Sequence, residues 1–280
     1  MRSLSTPKDQ REPGEEAGAS RFLLFFLSIL ASLLLFFIVA PLVRLTLSTS
    51  TGSLASALAD REVRQSLWLT LRAAAFATFV SVFLGVPLAY LLARTRFPGR
   101  AVVQGLVDLP IMVPHAAAGI ALLTIIGRDS LIQRLASPFA LRFVGEELGI
   151  AMAMAYVSVP FLVNAAREGF EAIPERLEKV ARTLGASPWR VFLTISLSMS
   201  WRAILSGMTL MWGRGISEFG AVIIIAYHPM TAPILVFQRF TDFGLAFARP
   251  VAVLLILVCV AGFAALRFIS RSTQADRYGP

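Results

Sequence analysis

The chain has 280 residues, of which 56% are hydrophobic and only 15% are charged, and its mean hydropathy is +0.72. Soluble domains carry about 25% charged residues, so this composition excludes a soluble enzyme with an ordinary polar surface. The net charge of +9 comes from basic residues in short segments between apolar runs, which is typical of a membrane protein and not of a nucleic-acid-binding face.

The N-terminal part predicts a tail followed by a membrane span. Residues 1–20 mix acidic and basic side chains without an apolar period, so we expect a disordered tail. The first apolar run, from Phe22 to Val43, is long enough to cross roughly 30 Å of hydrocarbon and longer than the about 7–15 apolar residues of a signal peptide. We therefore predict an uncleaved span.

Five further apolar runs predict an all-α polytopic membrane protein with six transmembrane helices. The runs lie at about 66–93, 101–126, 148–166, 200–226 and 249–270. The two tails, the loop 94–100 and the segment 167–202 carry about twice as many Lys and Arg as the opposite loops, which places both termini in the cytoplasm. The predicted parts are a tail (1–20), a first span with an external loop (21–61), a transmembrane domain (62–270) and a cytoplasmic tail (271–280).

The third span contains an ionisable residue and two prolines. Pro110 and Pro114 lie four residues apart, so we expect the helix to break or bend and to free backbone groups that can face a pathway. Asp108 and His115 flank this break, and ionisable groups inside a membrane are candidate functional groups. A histidine that bridges two helices is the simpler interpretation of His115.

The segment between the fourth and fifth spans predicts a short amphipathic helix on the cytoplasmic side. Pro174 suits the first turn of this helix, and Gly185 suits its end. Glu175 and Glu178 complement the positive end of the helix dipole and can each pair with a basic residue four positions later. An apolar stripe follows the helical period: Leu177, Val180, Ala181 and Leu184. A helix of about ten residues is marginal alone, so we expect the stripe to bind a partner protein, with adsorption to lipid as the alternative.

The fifth span contains two opposite charges. Arg214 and Glu218 lie one helical turn apart, which predicts an ion pair within the helix. Such a pair can gate a pathway, but holding two helices in register is the interpretation that we favour. Gly215 and Gly220 flank the pair and can allow close helix packing. We expect Arg72, in the second span, to snorkel toward the membrane surface.

Motifs of catalytic and metal sites are absent from the sequence. It has no G-x-x-x-x-G-K-[ST] phosphate-binding loop, so we do not expect the chain to hydrolyse ATP. The two histidines, His115 and His228, lie in different segments without metal-ligand spacing. We predict no catalytic residue and no metal site. The alternative to a transport subunit, from a different functional class, is an intramembrane enzyme or a membrane scaffold.

The segment after the fourth span resembles the cytoplasmic loop of ABC importer permeases. The pattern of that loop is EAA, three residues, Gly, nine residues and then I-x-L-P. The residues that match at the right spacing are Ala181, Gly185, Ile195 and Leu197. The residues that depart from the pattern are Lys179, Val180 and Ser198.

Longer stretches resemble the permeases of molybdate and tungstate importers. They are VDLPIMVPHAAAGIALL (107–123), EGFEAIPERLEKVARTLGASPWRVF (168–192) and RGISEFGAVIIIAYHPMTAP (214–233). Sulfate permeases share an EFGA-like segment but match the HPMTAP region less well, and a sulfate or thiosulfate importer is the nearer alternative.

The resemblance implies the partners and the location of the chain. It implies a homodimer in the inner (cytoplasmic) membrane, in contact with lipid, with the pathway at the two-fold axis. It implies separate cytoplasmic ATPase subunits, which hold ATP and Mg²⁺ and receive the short helix in a groove. It also implies an external solute-binding protein that delivers the oxyanion. No nucleic acid is expected.

Overall fold

The computed structural model describes residues 13–275 and gives side-chain surroundings for residues 22–265. Every regular element in this part of the chain is helical, which confirms the predicted all-α fold. The helices are α1 (Pro13–Leu47), α2 (Thr51–Ala59), α3 (Arg61–Arg94), α4 (Arg100–Met112), α5 (His115–Ile126), α6 (Leu131–Ala136), α7 (Glu147–Glu171), α8 (Glu175–Thr183), α9 (Pro188–Val191), α10 (Leu197–Ile216), α11 (Gly220–Ile225), α12 (Ala232–Phe243) and α13 (Leu245–Ala275). A 3-10 turn (Ser137–Phe139) follows α6, and a π-helical turn (Phe192–Ser196) joins α9 to α10.

Five of the described helices are long and apolar enough to cross a membrane. They are Phe22–Leu47, Arg61–Arg94, Glu147–Glu171, Pro188–Ile216 and Leu245–Ala265. The pair α4 and α5 passes the same test only as a unit, because it is bent by 117° at its break. The six predicted spans therefore correspond to five continuous helices and one broken pair.

The break between α4 and α5 lies where the prolines predict it. Val113 has an extended backbone (φ −75°, ψ 132°), as residues before proline commonly do. Pro114 has no N–H and precedes the first turn of α5, while Pro110 is buried in the last turn of α4. The chain changes direction here and places His115 at the start of a new helix.

The chain divides into two compact units, and the first ends at Ser50. Its helix α1 is apolar on every side, and none of its most apolar window is buried, which suits a helix surrounded by lipid. Residues 1–12 of the tail predicted over 1–20 lie outside the described residues, and residues 13–20 belong to α1. Pro13 at the first helical position suits this earlier start.

The second unit begins at Thr51 and is built around α7. This helix packs between α3 and α10, and small residues let the backbones approach. A Cβ added at Gly207 of α10 would lie 3.0 Å from Ala165 Cβ and 3.1 Å from Leu162 Cα. At the end of this unit α13 continues to Ala275, so part of the tail predicted over 271–280 is helical, and residues 276–280 lie outside the described residues.

The fifth span is displaced from its predicted position at 200–226. It begins at Pro188, where the Ser187 hydroxyl accepts the backbone N–H of Arg190 at 3.3 Å, and it ends at Ile216. The next residues form a turn, and α11 begins at Gly220. The turn is short (residues 217–219) and apolar residues predominate on both sides of it, so hydropathy merges two elements that the backbone separates.

Ion pairs join helices at the end of the second unit that lies opposite α8. Arg239 of α12 contacts Asp60 at 2.6 Å and Glu62 at 3.3 Å. Arg72 does not simply snorkel, as the sequence led us to expect, but pairs with Glu147 at the start of α7, with 2.7 Å between Nε and Oε1. These contacts tie α3 to α12 and to α7.

Asp60 makes the stability of this end dependent on pH. It precedes α3, and the hydrogen bond from Arg239 lowers the pKa of its carboxyl. A lowered pKa contributes stability above the unfolded value of about 4, and this stability is lost as pH falls through the folded pKa. Because the side chain is 37% exposed, we expect less than about 1 kcal/mol.

The measurement is the thermal unfolding of the detergent-solubilised protein between about pH 3 and pH 6. Asp60→Asn retains an oxygen that can accept from the backbone N–H of Glu62, as Asp60 does at 2.8 Å, but it cannot titrate. We expect its unfolding temperature to fall less than that of the unmodified protein below about pH 4. An equal fall in unfolding temperature for the two proteins would contradict the assignment of this pH dependence to Asp60.

Candidate functional site

The amphipathic helix forms as the sequence predicts. α8 spans Glu175–Thr183, with Pro174 immediately before it. It ends in a double hydrogen bond: Gly185 N–H donates to the Arg182 carbonyl, and Ala186 N–H donates to the Ala181 carbonyl, both at 3.0 Å. This ending requires a left-handed residue, and Gly185 provides it with φ +87°.

The larger side chains of the apolar stripe of α8 face away from the bundle. Leu177, Val180 and Leu184 are 37%, 56% and 83% exposed, whereas Ala181 is half-buried. Glu175 pairs with Lys179 at 3.0 Å, as predicted, and the hydrogen bond from Lys179 lowers the pKa of the Glu175 carboxyl. The described part of the chain thus leaves the stripe uncovered, as a docking surface requires.

Glu178 does not form the pair with a basic residue of α8 that its helical spacing predicts. It is only 6% exposed, and it bonds to Arg94 Nε and to the Ser196 hydroxyl, both at 2.8 Å, instead of pairing with Arg182. A buried carboxylate needs such partners. Sequence reasoning missed Arg94 and Ser196, because neither is related to Glu178 by helical spacing. We call Glu178, Arg94 and Ser196 the α8 anchor.

A second group of polar side chains lies at the junction of α5, α10 and α11. The carboxylate of Glu218, which is 1% exposed, contacts Arg214 Nη2 at 2.9 Å and His115 Nδ1 at 2.8 Å. Its other oxygen accepts the backbone N–H of Ala221 at 2.8 Å. We call His115, Arg214 and Glu218 the charge cluster.

The third contact of the charge cluster joins Arg214 to His115. Arg214 Nη2 lies 2.8 Å from His115 Nδ1 and 3.0 Å from His115 Nε2. The cluster holds the start of α5 against the end of α10, which is the register-holding arrangement favoured from sequence, with His115 as a further member.

Close packing at this junction depends on Gly220 and not on Gly215. A Cβ at Gly220 would lie 2.7 Å from His115 Cβ, whereas one at Gly215 would meet Ala74 and Met154 at an ordinary 3.6 Å. We expect Gly220→Ala to lower the free energy of unfolding by about 1–3 kcal/mol through overpacking.

Gly215→Ala is the matched control for this substitution. We expect it to leave stability unchanged or to raise it slightly, because alanine favours a helix more than glycine does. The measurement is the thermal unfolding temperature of each purified variant in detergent. If Gly220→Ala left the unfolding temperature as unchanged as Gly215→Ala does, α5 and α11 would have room to separate and accept the added methyl group.

Asp108 belongs to a separate hydrogen-bonded group between α4 and α7. Asn164 donates to Asp108 Oδ1 at 2.6 Å, and Gln104 donates to Oδ2 at 3.1 Å and to the Asn164 side-chain oxygen at 2.7 Å. Gln104, one turn before Asp108, could have been found by its helical spacing, whereas nothing in the sequence points to Asn164. The structure therefore places the candidate residues around the break in two groups.

Within the described residues no three His, Cys, Asp or Glu side chains come together in a way that could hold a metal ion. The candidate residues instead form ion pairs and carboxylates that accept hydrogen bonds from amide groups. Such groups can hold helices together or contact a passing ion.

Comparison with known proteins decides the family. Residues 85–275 match the family model of the inner membrane component of binding-protein-dependent transport systems. The chain belongs to this permease family. The permease is therefore an inner-membrane, multi-pass transport component.

Relatives resemble the permease over most of its length. The molybdate/tungstate transport system permease protein WtpB of Thermococcus kodakarensis is 39% identical over 89% of this chain and 96% of its own. A probable sulfate transport system permease protein of Chlorokybus atmophyticus is 32% identical over 74% of this chain and 73% of its own.

A solved structure shows the same fold. A chain of a bacterial alginate ABC transporter, in complex with an alginate pentasaccharide-bound periplasmic protein, aligns with a TM-score of 0.73 over 92% of the permease and 97% of that chain. The identity is 14%, so this likeness concerns the fold alone.

Proposed function

We propose that the permease is the transmembrane subunit of an ATP-driven ABC importer for molybdate or tungstate. The observation that carries this proposal is the uncovered apolar stripe on α8, which ends at Leu184, 83% exposed. A short helix with an exposed apolar face fits a groove on a partner protein. The anion rests on the 39% identity to a molybdate/tungstate permease.

The partners of this importer are separate chains. Two copies of the permease form the pathway at their two-fold axis, and both termini face the cytoplasm. Cytoplasmic ATPase subunits hold ATP and Mg²⁺ and bind α8, and an external binding protein delivers the oxyanion. Closure of the ATPase subunits moves α8 and opens the spans outward. The transporter resets after ATP hydrolysis.

In this proposal the charge cluster holds α5 and α10 in register beside the pathway, and it is not a high-affinity site for the anion. Arg214 is already neutralised by Glu218 at 2.9 Å, so it is a poor sole ligand for a dianion. Weak contacts suit a pathway that must release what it admits. Asp108, whose oxygens are occupied by Asn164 and Gln104, joins α4 to α7 beside the break at Pro114.

Sulfate is the second candidate substrate, since a probable sulfate permease is 32% identical. Molybdate, tungstate and sulfate are all tetrahedral dianions, and the external binding protein selects among them. The permease itself discriminates weakly, because Arg214 is paired with Glu218 and Arg72 is paired with Glu147.

The experiment is ATPase activity of the complex in lipid vesicles, with the binding protein and each oxyanion in turn. Stimulation and uptake with molybdate or tungstate, but not with sulfate, support the proposal. Stimulation by sulfate alone would retain the importer and overturn the anion. No association with any ATPase subunit would favour the membrane scaffold.

A further inference from the structure

The face of α8 that turns toward the bundle buries a charged side chain. Glu178 is the one buried residue among Glu175–Thr183, all of which the structure describes. A helix normally docks by burying an apolar stripe, but the stripe of α8 points outward. The buried face of the helix is therefore held by a carboxylate whose partners lie in other helices.

Arg94 bonds both to α8 and to the segment just before it. Its Nε donates to Glu178 at 2.8 Å, and its Nη2 donates to the carbonyl of Ile173 at 3.0 Å, just before the helix begins. The Arg94 side chain is itself only 9% exposed, so the pair is shielded from water and stronger than a surface ion pair. Because Arg94 is the last residue of α3, this contact fixes α8 to a span.

Ser196 connects the same carboxylate to a second span. Its hydroxyl donates to Glu178 at 2.8 Å, and it closes the π-helical turn Phe192–Ser196 that leads into α10. π-helical turns are rare and often mark functional positions. Glu178 thus bonds to residues of two membrane-spanning helices at once.

Aromatic rings support the α8 anchor from the bundle side. Tyr90 packs edge to face against Phe170 and Phe192, with ring centroids 5.2 Å and 4.8 Å apart. Its hydroxyl lies 3.5 Å from Glu178 Oε2. These rings exclude water and restrict the space into which the carboxylate could move.

We propose that Glu178, through Arg94 and Ser196, is the positioning residue that transmits movement of α8 to α3 and α10. This inference rests on the proposed function. A force applied to the exposed stripe reaches the spans only if the opposite face of α8 is fixed. Without the anchor, the helix would pivot about its flanking turns at Pro174 and Gly185.

The first test is hydrogen exchange of the purified permease, which requires neither substrate nor ATPase. We expect Glu178→Ala and Arg94→Ala each to raise amide exchange in residues 175–184 at least tenfold, while exchange in α7 stays unchanged. Arg94→Lys, which keeps the charge but not both hydrogen bonds, is expected to give an intermediate value. Glu171→Ala is the matched control, since its ion pair with Arg100 at 3.0 Å is partly exposed.

The second test measures uptake and ATP hydrolysis of the complete transporter in vesicles. We expect Glu178→Ala to retain the ATPase subunits, to lose stimulation by the binding protein, and to reduce uptake per ATP at least tenfold. The double variant Glu178→Ala/Arg94→Ala is expected to be no worse than either single variant, because the two residues act as one unit. Glu171→Ala is expected to transport normally.

Unchanged exchange in α8 would overturn the inference, as would raised exchange with normal uptake per ATP. Complete loss of ATPase binding would also overturn it, because Glu178 would then only shape the docking surface. Failure of the unmodified transporter to couple with any oxyanion would instead refute the proposed function, and the exchange result alone would then decide whether Glu178 positions α8.

Discussion

Replacement of Leu184 by aspartate is expected to weaken ATPase-subunit binding at least about tenfold and to reduce uptake in proportion. Leu184 is the most exposed member of the α8 stripe. Burying a leucine side chain contributes about 1.5–3 kcal/mol, and each 1.4 kcal/mol corresponds to about tenfold in affinity. A carboxylate in the same groove would also lose its hydration without gaining a partner.

The permease itself should tolerate this change, because the side chain contacts mostly solvent. The measurement is retention of the ATPase subunits on the immobilised permease, followed by uptake in vesicles. Leu135→Asp is the matched control, since Leu135 is also exposed but lies in α6, remote from α8. Normal retention and uptake with Leu184→Asp would refute the docking role of the stripe.

Replacement of Glu218 by alanine is expected to destabilise the permease by about 3–5 kcal/mol, which is the usual effect of removing one partner from a buried ion pair. The substitution leaves Arg214 and His115 without their acceptor and the backbone N–H of Ala221 without its cap. The measurement is the thermal unfolding temperature of the purified permease in detergent.

Two further variants separate lost pairing from lost volume. The double variant Arg214→Ala/Glu218→Ala is expected to recover part of the stability, because no lone charge is left at the junction. Glu168→Ala, an exposed glutamate on α7, is the control and should change stability by less than about 0.5 kcal/mol. A Glu218→Ala variant as stable as this control would show that the junction does not depend on its charges.

The parts of the structure that were predictable depend on local sequence. Pro174 and Gly185 define α8 because a missing N–H and a left-handed turn are properties of single residues. The break at Pro114 follows from the same kind of local rule. Hydropathy located the spans but placed the end of the fifth one too late, because composition cannot detect a turn inside an apolar stretch.

The parts that escaped prediction depend on contacts between distant segments. The helical spacing of Glu178 predicts a pair with Arg182, but Glu178 is buried beside Arg94 instead. Asn164 has no local feature that distinguishes it from any polar residue in a span, yet it binds Asp108. A single sequence shows which residues lie on one face of a helix. Which residues pack against that face follows only from the fold.

The single carboxylate of Glu218 constrains how this junction can change during evolution. It pairs with His115 and Arg214 and caps α11, and Gly220 leaves no space for a larger side chain beside His115. An isolated substitution at any of these positions therefore leaves an orphaned charge or a steric clash. Among homologous permeases, residues at these four positions should accordingly be replaced together, and an alignment should show them as a covarying set.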